Sequence, residues 1–159
     1  MSLTPVSADS GSVNIEIRSP LRRRQSLEDI GLENSSILDV LSAFEPFGVW
    51  RLDLETGLTQ WTRDMFLLHD MVPRAGPVDM IHVIRCYHPD DREHIVACME
   101  DANLHRSGFR FVLRIGTREK VIRTVEGTGL YRLGAEGRPE LFGTCRELRQ
   151  KVRSVAIER

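Results

Sequence analysis

The sequence predicts an α+β domain: a five-stranded antiparallel sheet, flanking short helices, one longer helix, and a further helix ahead of the first strand. Three observations predict it. Residues 47–71 read FGVWRLDLETGLTQWTRDMFLLHDM, two short apolar runs around Glu55-Thr56-Gly57 and then apolar residues at helical spacing. Residues 88–92 read His-Pro-Asp-Asp-Arg, a helix start, and Ile95, Met99 and Ala102 follow at helical spacing. In the last third, Phe109, Phe111 and Leu113 alternate with Arg110, Val112 and Arg114, the period-two pattern of a strand with one buried face.

Each element has a local reason. Residues 1–25 are rich in Ser, Pro, Gly and Arg and hold few large apolar side chains. They bury too little to offset ordering entropy, so a flexible tail is expected. Within it, Ile15 and Ile17 alternate with charges, the pattern of a short edge strand. Residues 26–46 form the N-terminal flanking helix region. Ser36 with Asp39 fits a capping box, and Ile37, Leu38, Val40, Leu41 and Phe44 recur at helical spacing. Pro46 ends that helix, and Leu27, Ile30 and Leu32 make an earlier turn broken at Gly31. In the hairpin, Gly57 supplies the positive φ that a tight turn wants. A loop with Pro73, Gly76 and Pro77 leads to a short helix over 80–87. Pro89 suits a first helical position, and Asp90 and Asp91 place negative charge at the positive end of the helix dipole. Gly108 is the natural stop. A long strand follows over 121–133, where Gly127 and Gly129 suggest a bulge or a close approach. A last strand spans 140–148, and the basic tail 149–159 has room for a short helix.

Composition narrows the class. A chain of 159 residues argues for one domain, and 41% hydrophobic with 28% charged content is ordinary for a soluble protein. With 22 Lys and Arg against 23 Asp and Glu, no global field draws it to nucleic acid or a membrane surface. No apolar run nears the ~20 residues of a spanning helix. The N-terminus lacks the basic-then-apolar order of a secretory signal, so a cytoplasmic location is expected. Cys86, Cys98 and Cys145 are irregularly spaced and odd in number, which fits reduced thiols rather than a disulfide framework or a zinc site. There is no Gly-rich phosphate loop, no His-Glu-x-x-His and no Gly-x-Ser-x-Gly, so an enzyme is not expected.

Gly48, Trp50, Asp53, Thr56, Gly57 and Trp61, followed by His88-Pro89-Asp90-Asp91-Arg92 and a meander ending in Phe142-Gly143-Thr144-Cys145, lie in order along the chain. Together they resemble the PAS-domain subclass whose members read G-x-W-x-x-D-x-x-T-G and then H-P-D-D-R. The resemblance covers residues 47–148. It departs at Gly116-Thr117-Arg118-Glu119, where the family often has Asp-Gly, and at Arg146-Glu147-Leu148, where an Asp-Ile-Thr junction often feeds a signalling helix. The resemblance implies a PAS fold and a sensory or regulatory role in a bacterial pathway. No output domain follows in the sequence, so action in trans is expected, on a second copy as a homodimer or on a signalling protein such as a histidine kinase. Two alternatives accompany it: a haem-binding gas or redox sensor, and the sensor portion of a longer histidine kinase or cyclic-nucleotide enzyme.

The candidate site residues follow from this frame. The pocket inside the sheet is assigned to Trp61, Phe66, Ile84, Ile95, Met99, Phe111 and Val125, with either a small ligand or their own side chains filling it. The partner face is assigned to Ile37, Val40, Leu41 and Phe44 on the flanking helix. Some PAS domains hold haem through a histidine on the long helix, which makes His94 the haem candidate and His105 the second. Flavin is not expected: Cys86 in Ile84-Arg85-Cys86-Tyr87-His88 lacks the asparagine, phenylalanine and glutamine of the light-sensing motif. His94, Cys98, Asp101 and His105 share roughly one helical face at spacings of four, three and four. They are read as a polar surface rather than a metal site. Arg22-Arg23-Arg24 followed by Ser26 has the form of a basic phosphorylation-type site, with a solvated charge run as the simpler reading.

Overall fold

The structure, a computed structural model, describes residues 13–18, 22–157 and 159. Its centre is one antiparallel sheet of strands β1 (Asn14–Arg18), β2 (Phe47–Asp53), β3 (Leu58–Trp61), β4 (Val78–Asp79), β5 (Gly108–Gly116), β6 (Val121–Leu133) and β7 (Pro139–Glu147). The spatial order is β1-β5-β6-β7-β2-β3-β4. Helices α1 (Asn34–Leu41), α2 (Arg63–Leu68), α3 (Met80–Cys86) and α4 (Arg92–His105) complete it. The expected hairpin and meander are five of the seven strands. The two extra ones sit at the edges. β4 has only two residues, anchored by Val78, which is buried opposite Thr59. β1 pairs along β5, with Ile15 opposite Phe111, and a 2.7 Å ion pair joins Glu16 to Arg110. Residues 14–18 are therefore strand rather than tail, because the alternation at Ile15 and Ile17 suits a sheet edge. The rest of the expected tail over 1–12 and 19–21 lies outside the described residues.

The hairpin explains its own sequence. The Asp53 carboxylate accepts from the backbone N–H of Glu55 (2.8 Å) and Thr56 (3.2 Å), and Gly57 at φ 72° closes the turn onto the Asp53 carbonyl. This sets Trp50 opposite Trp61.

Several boundaries differ from expectation for physical reasons. Helix α1 begins at Asn34 with Glu33 as its N-cap and no side-chain cap, so Ser36 and Asp39 form no capping box. It ends at Leu41, ahead of Pro46, where Ser42 turns its hydroxyl and N–H back onto the Leu38 carbonyl. Helix α4 ends at His105 with Arg106 as its C-cap in a left-handed conformation at φ 49°, while Gly108 opens β5. Gly127 and Gly129 mark close approach and not a bulge: a Cβ there would collide with the rings of Phe111 and Phe109. The register shift lies instead at Ile115/Gly116. Residues 148–157 form no helix, and Lys151 reaches Glu45 at 2.9 Å.

Asp90 and Asp91 divide their work. The His88 ring nitrogen Nδ1 accepts from the Asp90 N–H at the start of a short turn of 3-10 helix that runs into α4. Asp91 is buried and binds Arg114 of β5 with both oxygens: Oδ2 accepts from the Arg114 backbone N–H (2.9 Å) and Nε (3.0 Å), and Oδ1 from Nη2 (2.7 Å). Asp91 is thus less a dipole charge than the bolt between α4 and the sheet.

Candidate functional site

The inner face of the sheet and helices α2, α3 and α4 enclose a small cavity. Trp61, Ile95, Met99 and Phe111, four of the seven residues assigned to the pocket, line it. Phe66 and Val125 are fully buried elsewhere in the core, and Ile84 packs against the core from α3. The cavity measures about 30 Å³. That is room for roughly two water molecules at ~10–15 Å³ each.

Its polar wall was not anticipated. His69, Tyr87 and Cys145 all border the cavity. The His69 Nδ1 lies 2.8 Å from the Met65 carbonyl, which can only accept, so Nδ1 carries the proton. Nε2 then accepts from the Tyr87 hydroxyl at 3.1 Å. The Cys145 thiol borders the same cavity beside this pair. Burial lowers the His69 pKa to about 4, opposed by the Met65 bond and aided by the Arg123 charge. Burial also pushes Cys145 up to about 12 and Tyr87 well above its ordinary value. Trp61 lies over the His69 ring at 4.5 Å. At neutral pH the three groups are uncharged and both His69 ring nitrogens are hydrogen-bonded, so neither an imidazolium nor a thiolate faces the cavity. The sequence held one signal for this, Met65 and His69 at helical i, i+4 spacing, but a lone histidine after an apolar run does not announce its partner on another helix.

The four-residue stripe on α4 does not hold together as one polar face. Cys98 is buried with Ile95 and Ala102, because α4 turns that side to the sheet, whereas His105 is largely exposed and pairs with Asp101 at 3.1 Å. Among the described residues, no group of three or more His, Cys, Asp or Glu is placed to hold a metal ion. His94 is half-buried on α4 and absent from the cavity wall. A cavity of about 30 Å³ with no histidine nitrogen free of a partner does not fit a haem. Cys86 turns its thiol to the His82 carbonyl at 3.4 Å.

The outer face of the sheet carries the second candidate. Helix α1 lies across it and leaves an apolar groove of about 510 Å³, lined by Ile37, Leu38 and Leu41 from the helix and Phe47, Val49 and Phe142 from the sheet. Of the residues assigned to the partner face, Ile37 and Leu41 line this groove. Val40 and Phe44 are 70% and 64% exposed. No residue of α1 is fully buried.

A sensory box histidine kinase/response regulator from Burkholderia thailandensis E264 superposes with a TM-score of 0.56 at 18% identity, over 73% of this chain and 85% of that one. The N-terminal domain of a diguanylate cyclase with PAS/PAC sensor from Marinobacter aquaeolei gives 0.54 at 13% identity, over 64% and 94%. The chain has the PAS fold. An RNA-binding light-oxygen-voltage receptor shares this fold too, with a TM-score of 0.56 at 19% identity, over 69% of this chain and 31% of that one. In sequence, the PAS-fold chain is 28% identical over 93 residues to the probable diguanylate cyclase DgcE of Escherichia coli (strain K12). That match spans 58% of this chain and 8% of the cyclase. No model of a known protein family matches the chain. No described helix is long and apolar enough to cross a membrane.

Proposed function

We propose that this chain is a sensory or regulatory PAS module of a bacterial signalling pathway that works by protein–protein contact, with α1 and the outer sheet face as the contact surface. A second copy of the chain is the first partner, and a signalling protein such as a histidine kinase is the downstream one. The observation that carries the reading is the apolar surface left open beside an apolar groove: Val40, Leu41 and Phe44 are 70%, 45% and 64% exposed. Apolar groups gathered at one place on a surface mark interaction sites. The mechanism is a shift in how α1 packs on the sheet, which changes the surface presented to the partner. The Lys151–Glu45 ion pair supports this, since it ties the C-terminal segment to the turn after α1. A second reading, a sensor portion of a longer enzyme, draws on the sequence match to a diguanylate cyclase.

Sedimentation of the purified chain tests the proposal. The wild type should run as a dimer at micromolar concentration and Val40→Glu/Phe44→Glu as a monomer. Both should show the same far-UV circular dichroism, and only the wild type's melting temperature should rise with protein concentration, because association stabilises the folded state by mass action. A wild type that stays monomeric and captures no protein from a lysate of its own cells sinks the contact reading.

A further inference from the structure

We propose that Ser26 is a phosphorylation site for a protein serine kinase that reads arginines ahead of its target. The sequence around it is Arg22-Arg23-Arg24-Gln25-Ser26-Leu27. All three arginines are exposed, and none is hydrogen-bonded or ion-paired to another described residue. Their planar forks are therefore available to carboxylates in a kinase cleft, which they match bidentately. Residues 23–26 belong to no helix or strand. The segment up to Ser26 can thus lie extended in a cleft at the loss of the one Ser26–Glu28 hydrogen bond, as in-line positioning of a hydroxyl on a γ-phosphate requires. The Ser26 side chain is exposed, and its oxygen accepts only from the Glu28 N–H at 3.2 Å. Its own hydroxyl proton is committed to no described acceptor.

The other hydroxyls qualify less well. Ser35 and Ser36 are locked in α1, and Ser107 is buried. Ser154 is exposed and follows Lys151 and Arg153, but Lys151 is held by Glu45. In the reaction, the Ser26 oxygen attacks the γ-phosphorus of a nucleoside triphosphate. The bond from that phosphorus to the bridging oxygen breaks, nucleoside diphosphate leaves, and the hydroxyl proton passes to the kinase's carboxylate base. The new group carries about −1.5 to −2 charges at pH 7. It stands between the arginine run and the acidic Glu28 and Asp29 of the 3-10 turn that leads to α1. Attraction to one side and repulsion from the other re-set the approach to that helix. The modification itself does not depend on α1 being a contact surface.

The test uses the full chain, the catalytic subunit of the cyclic-AMP-dependent kinase with labelled ATP, and mass spectrometry of the peptides. One phosphate is expected, on Ser26. Ser26→Ala should lower incorporation at least ~10-fold, as should Arg23→Ala/Arg24→Ala, which keeps the acceptor and removes about one charge-assisted contact per arginine. All variants should melt as the wild type does, since the changes are at exposed positions. Protein isolated from its own cells, growing and starved, should carry the same phosphate. Equal labelling of Ser26→Ala and wild type, label on Ser154, or Ser26 bare in both cell samples overturns the proposal.

Discussion

Replacing Asp91 with Asn isolates the contact that fastens α4 to the sheet. The substitution keeps the side chain's volume, removes its charge, and turns one acceptor into a donor facing the Arg114 N–H groups. Removing one partner of a buried ion pair costs about 3–5 kcal/mol. Asp91 is 2% exposed, but the Arg114 side chain is 35% exposed and regains some water when its partner is lost. That discount brings the expected loss to about 2–3 kcal/mol. At ~2–4 °C per kcal/mol for a chain of this size, the melting temperature should fall by roughly 5–10 °C. The pH dependence supplies a second check. Burial raises the Asp91 carboxyl, but the Arg114 side-chain and backbone hydrogen bonds and charge outweigh it, so its folded pKa lies below the ordinary value of 3.8. A depressed folded pKa means the pair stabilises the fold above the unfolded pKa and loses that stabilisation as pH falls through the folded one. Urea unfolding followed by tryptophan fluorescence should therefore show a gap between wild type and variant that is full at pH 7 and shrinks at pH 3. A gap under ~0.5 kcal/mol at pH 7, or one that stays constant to pH 3, would refute the reasoning.

Two further outcomes bear on the inner face. His69 has a folded pKa of about 4 against an ordinary 6.5, so its contribution is complete above pH 6.5 and lost as pH falls towards 4. The full shift corresponds to about 3 kcal/mol, and His69→Gln should flatten this part of the stability–pH curve. An NMR titration of the His69 imidazole with a midpoint at or above 6 would remove the basis for a buried, neutral His69 that accepts from Tyr87. Gly127→Ala should cost about 1–3 kcal/mol in thermal unfolding, because its methyl group meets the Phe111 ring inside a packed sheet. A variant as stable as wild type would mean that Phe111 moves aside freely.

The fold was legible where chemistry is local. Asp53, Thr56 and Gly57 specify a turn by bonds within five residues, and Phe109, Phe111 and Leu113 declare a buried face by alternation. Where a residue's role depends on a partner far along the chain, the same letters mislead or tell only part. Asp91 resembles a dipole charge until Arg114 arrives from β5. Cys98 sits in a polar-looking stripe until the sheet covers it. His69 is silent in the sequence because Tyr87 reaches it only through the fold. Strand β1 shows an intermediate case, in which alternation at Ile15 and Ile17 signalled a strand but not which edge would take it.

The inner cavity and the proposed contact surface differ in what an occupant must overcome. A ligand larger than water must open a cavity of about 30 Å³, which means displacing Trp61, Met99 or Phe111 from packed positions and parting the His69–Tyr87 bond. Each buried polar group left without its partner costs about 1–3 kcal/mol before any contact with the ligand is made. On the outer face nothing has to open. Val40, Leu41 and Phe44 already stand in water, and covering them gains about 25 cal/mol per Å² of apolar surface. Methionines are the side chains best able to soften the inner barrier, and Met65, Met80 and Met99 all line the cavity. A ligand that did enter would therefore act first on α2, α3 and α4, which carry those methionines, and would reach α1 only through the strands between the two faces.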